Sequence, residues 1–197
     1  MKSISMLFLF LLNIFVMNAQ DTPAELPYRE IPDYPDTYTA ETVAARMVDG
    51  LGFRYYWATE GLRTEDLAFK PNEDARTALQ TLEHIHGLAE MVLYAVKQEP
   101  IVRGGKRPEM DFVALRKSTL EGLKTASDLL RSGKVQLEDC KIIFQRSERR
   151  SEFPFWNTLN GPLADALWHT GQVVSFRRSS GNPFNSKASV FSGKVRE

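Results

Sequence analysis

The sequence predicts an all-α protein, a four-helix bundle with an irregular crossover before its last helix. Four segments repeat apolar residues at intervals of three and four, and no run makes a convincing sheet. Proline, glycine or capping residues punctuate the joins between those segments.

The start of the chain reads as an address label. Lys2 precedes an apolar run from Met6 to Val16, broken only by Asn13, and Met17-Asn18-Ala19-Gln20 follows. A basic residue, a short apolar run and a small residue near its end predict a secretory signal peptide over 1–20, cleaved near Ala19-Gln20. The run is shorter than the roughly 20 apolar residues a spanning helix needs, so no stable membrane insertion is expected after cleavage. The expected location is outside the cytosol, periplasmic or secreted.

Residues 21–37 hold four prolines and several acidic groups, which suits an extended arm. The bundle is expected over 38–182. Its first helix runs from Ala40 to about Gly61, with Val43, Met47, Leu51, Tyr55 and Ala58 as its stripe. Asn72-Glu73-Asp74 offers caps for a second helix, about Ala75 to Lys97, with Leu82, Ile85, Ala89, Val92 and Val96 inward. Pro100 to Pro108 is a loop. Asp111 caps a third helix that ends at Arg131, before Ser132-Gly133. Lys141–Gln145 is a short strand or an extended crossover, and Arg146–Glu152 a solvated turn. The last helix spans about Pro154 to Ser179, with Pro162 at a kink or restart, and 183–197 reads as a polar tail.

The chain of 197 residues balances 25 Lys and Arg against 25 Asp and Glu. Loss of the leader with Lys2 leaves a single net negative charge, so neither nucleic acid nor an anionic lipid surface is an expected partner. Cys140 is the only cysteine, which excludes an internal disulfide. With no histidine beside it, it reads as an ordinary half-buried thiol.

The chemistry-bearing residues are histidines and one carboxylate. Asp165, His169 and Gln172 form a polar line on the fourth helix beside its apolar face of Leu163, Ala166, Leu167, Val173 and Val174. Asp165 and His169 lie one turn apart, and imidazole nitrogen and carboxylate oxygen are both ligands of first-row metals. The alternative is a solvent-facing line or a cross-helix hydrogen-bonded pair. On the second helix, His84 and His86 sit at opposite shoulders of the core face, each about 100° from Ile85. Periodicity does not choose between them. On the first helix, Arg54 and Trp57, near Glu60, either line a pocket over the site or serve the core.

Trp168-His169-Thr170-Gly171-Gln172 and Leu82-Glu83-His84-Ile85 resemble the signatures of the DinB/YfiT-like metalloenzyme superfamily, and Arg177 and Arg178 match its following basic residues. The resemblance covers most of residues 38–180. It implies a bundle that binds a divalent metal through one histidine of helix two and two of helix four. His84 then becomes the helix-two ligand, His169 a helix-four ligand, and Asp165 stands where the family carries its other histidine. A carboxylate in that place keeps metal binding and favours zinc, iron or manganese, with nickel a further candidate. Gln172 would orient a ligand or support the coordinating imidazole. The resemblance implies a metal-dependent hydrolase or transferase acting on a small molecule, since family members include thiol-dependent transferases and isomerases. Export argues against cytosolic thiols, which leaves hydrolysis in competition. The alternative is a non-catalytic binding or interaction bundle with a structural or lost metal site. The sequence leaves the catalytic residues, the substrate and homodimer formation open.

Overall fold

The computed structural model describes residues 25–102, 104 and 109–197, so the expected leader lies outside the described residues. The chain is mostly helical with a small sheet, which corrects the all-α expectation. Four long helices carry the core: α1 (Ala40–Thr59), α3 (Ala78–Lys97), α4 (Phe112–Arg131) and α6 (Ala164–Ser179), with a short α2 (Thr64–Ala68) and α5 (Phe155–Thr158) between them. α1 and α3 each pack against both α4 and α6. Leu51, Leu82, Ile85, Val92, Leu120, Leu123 and Leu163 are fully enclosed at the centre. Truncating any of these leucines to alanine would cost about 2–5 kcal/mol, because the cavity left cannot collapse completely.

Local chemistry sets the helix starts. Thr39 and Thr42 form a reciprocal cap for α1: the Thr42 N–H donates to Thr39 Oγ1 at 3.2 Å, and the Thr39 N–H to Thr42 Oγ1 at 2.9 Å. Thr77 and Gln80 do the same for α3, three residues later than expected. Asn72 instead accepts the N–H groups of Asp74 and Ala75 and closes a turn ahead of the helix. Asp111 caps α4 through the Ala114 N–H at 2.8 Å, as the sequence predicts.

The crossover is a hairpin. β2 (Lys141–Arg146) pairs antiparallel with β3 (Arg149–Pro154), and β1 (Ile101–Val102) adds a parallel edge to β2. The expected solvated turn shrinks to Ser147-Glu148, with Ser147 left-handed at φ 50°. β3 is exposed along its whole length, so it carries no apolar alternation to announce it. The last helical run is broken by a π-type turn over Leu159–Leu163 that contains Pro162, whose missing N–H removes an ordinary helical bond.

The described part of the arm and the C-terminal segment both fold back. β4 (Ala188–Ser189) and β5 (Lys194–Val195) form a small hairpin where a polar tail was expected, with Ala188 buried. The Ile31 N–H donates to Gly193 O at 2.8 Å, tying the arm to that hairpin. Tyr28, left-handed at φ 75°, lays its ring over Gly52, where a Cβ would fall 2.4 Å from the ring. Its hydroxyl donates to Asp49, itself ion-paired to Arg131 of α4.

Candidate metal centre

His84, Asp165 and His169 come together from α3 and α6, which pack side by side. His84 Nε2 lies 3.2 Å from Asp165 Oδ2, and His169 Nε2 lies 3.3 Å from Asp165 Oδ1. The two imidazole rings meet edge to face with centroids 4.7 Å apart, and one ligand atom from each residue lies within 4.8 Å of the others. Ligands about 2.1 Å from a tetrahedral ion are separated by about 3.4 Å, close to both histidine–carboxylate distances. The group could hold a metal ion.

The hydrogen-bond inventory points the same way. Gln172 Oε1 sits 2.7 Å from His169 Nδ1, so this nitrogen is the donor. The other ring nitrogen, Nε2, lies 3.3 Å from a carboxylate oxygen of Asp165. Gln172 thereby fixes the tautomer that a metal-ligating histidine needs. The three side chains are partly buried: that of His169 is 17% exposed, that of His84 34% and that of Asp165 38%.

His86 takes another task. It lies buried on the α4 side of α3, with Nδ1 3.1 Å from Thr119 Oγ1, and Thr119 passes its own proton to Leu115 O at 2.8 Å. Its Nε2 lies 3.8 Å from Glu90. The two shoulders of α3 are therefore distinct: one faces α6 and the carboxylate, the other faces α4 and a hydroxyl. Sequence reasoning missed Thr119 as the partner of His86, and its spacing on α4 gave no sign of it.

Arg54 and Trp57 stand away from the triad. Trp57 is buried, donating Nε1–H to Arg29 O at 3.1 Å, so it serves the core and the arm. Arg54 donates to Gly50 O at 2.9 Å and lines a cavity whose α6 wall, Leu167, Thr170, Gly171 and Val174, is the opposite face from Asp165, His169 and Gln172. Glu60 pairs with Arg116 of α4. No family model, curated protein or solved structure matches this chain.

Proposed function

We propose that this protein is a divalent-metal-binding member of the DinB/YfiT-like bundles, a metal-dependent hydrolase or transferase for a small molecule, and that it is exported. The observation that carries the reading is one carboxylate shared between two imidazoles from different helices, with a glutamine holding one ring in its ligating tautomer. Four long helices with α3 and α6 adjacent suit that fold type. The half-exposed ligands favour an open site over a closed structural one, because a structural ion is sealed by protein on every side. The donor set of two nitrogens and one carboxylate suits zinc, iron or manganese, and admits nickel.

A divalent ion held there would supply Lewis acidity, polarising a substrate oxygen or acidifying a water or thiol. The residues of this chain supply the rest. Asp165 offsets one unit of the ion's charge and joins α3 to α6 through it. Gln172 anchors the His169 ring by its Nδ1 edge. Export would remove the site from cytosolic thiols and favours hydrolysis.

Competition titrations with zinc and manganese test the ligand set. Asp165→Asn should weaken binding of the native metal at least tenfold, whereas Asp165→His should retain binding and shift preference toward zinc, copper or nickel. His84→Ala should lower occupancy strongly and His86→Ala should leave it near wild type. Equal affinity and selectivity for Asp165, Asn and His would remove Asp165 from the site.

A further inference from the structure

We infer that the groove between α1 and α6 is a second binding site, one for a small amphipathic anion with a carboxylate or phosphate head and an apolar body. The groove has a volume of about 540 Å³, within the range of small-molecule sites. It does not depend on the metal, because it lies on the opposite face of α6 from the triad.

α1 carries two stripes. Ala44, Val48, Leu51, Tyr55 and Ala58 turn into the core, while Val43, Met47, Gly50 and Arg54, spaced four, three and four, form a second line about 100° away. This second line is why Val43 and Met47, expected in the core, are 49% and 40% exposed. Met47 joins Leu167, Val174 and Phe184 as the apolar lining of the groove, and Arg46 and Arg54 supply its charge.

Both guanidinium groups are held in place yet retain donors. Arg54 uses Nη1 on Gly50 O at 2.9 Å, and Arg46 uses Nη1 on Pro32 O at 2.8 Å with its plane 4.7 Å from the Tyr34 ring centre. A guanidinium has five N–H donors, and neither arginine has a carboxylate partner among the described residues. Two half-buried cations without a carboxylate partner among the described residues, beside an apolar wall, complement a ligand that is anionic at one end and apolar along its body. Gly171 keeps the α6 side open, since a Cβ there would meet nothing within 4 Å.

The test is calorimetric titration of the full chain, with chelator present, using decanoate, decyl phosphate and decanol below micelle-forming concentrations. Decanoate or decyl phosphate should bind at least tenfold more tightly than decanol, and Arg54→Gln should weaken the anions at least tenfold while sparing decanol. Gly171→Leu should abolish binding with an unchanged or higher melting temperature, since its Cβ enters open space and a helical glycine is replaced. Equal binding of decanol and the anions, indifference to Arg54→Gln, or no binding of any of the three would overturn the proposal. Sedimentation with phosphatidylglycerol vesicles separates the sources of the head group. Capture by vesicles without binding of the soluble amphiphiles would also overturn it.

Discussion

Asp165 has two oxygens and gives each to a different histidine, Oδ2 to His84 and Oδ1 to His169. That division couples two helices through one side chain. The spacing of Asp165 and His169 was legible in the sequence because a helix places i and i+4 on one face. The choice between His84 and His86 was not legible from periodicity, since both lie at equal angles from Ile85. Tertiary neighbours decide it: α6 brings a carboxylate to His84, and α4 brings the Thr119 hydroxyl to His86. Cys140 differs from the half-buried thiol expected of it. It is fully buried, and burial first, then the charges of Asp139 and Glu41, pushes the thiol up to about 11. The thiolate is the nucleophile, so at pH 8 the folded chain should react with a disulfide reagent about a hundredfold more slowly than the unfolded chain. Similar rates before and after denaturation would contradict this environment.

At the scale of elements, the long helices follow from sequence and their joins do not. The end of α3 at Lys97 and the cap of α4 at Asp111 agree with the pattern, because apolar period and capping chemistry coincide there. α2 escaped notice because five residues are too few to show a period. Its role is electrostatic. Asp66 is buried, with Arg63 gripping both its oxygens at 2.8 and 2.9 Å and the Ser180 hydroxyl donating at 2.6 Å from the end of α6. Asn182 completes the set at 2.6 Å. Arg63, first among these, holds the carboxyl far below its usual 3.8, followed by the hydroxyl and amide donors. A depressed folded value means the contribution is present above the unfolded pKa and is lost as pH falls through the folded one. Asp66→Asn should therefore lower stability at pH 7 by about 2 kcal/mol, discounted for the solvent exposure of Arg63. For a domain of this size the melting temperature should fall by about 4–8 °C. The loss should shrink steadily as pH falls from about 5 toward about 2, and a loss undiminished at about pH 2 would contradict the network.

For the whole molecule, the four long helices enclose one core, and the described residues of the arm and the C-terminal hairpin brace it from outside. The prolines predict an extended arm, but nothing in the sequence predicts how its described residues dock. Tyr28 and Ile31 are buried only because Gly52 admits the Tyr28 ring and the C-terminal hairpin accepts the Ile31 N–H. The Ile31–Gly193 contact spans more than a hundred residues, and neither contact leaves a local period in the sequence. The same holds for the centre of the claim, since His84 and Asp165 are 81 residues apart and meet only because α3 lies beside α6. Elemental analysis of the purified protein tests that meeting most directly. About one divalent metal ion per chain should be found, with His169→Ala reducing it to a small fraction while the helical circular dichroism is unchanged. A wild-type protein without metal after loading with zinc, iron, manganese or nickel, or a His169→Ala protein that holds as much metal as wild type, would contradict the account.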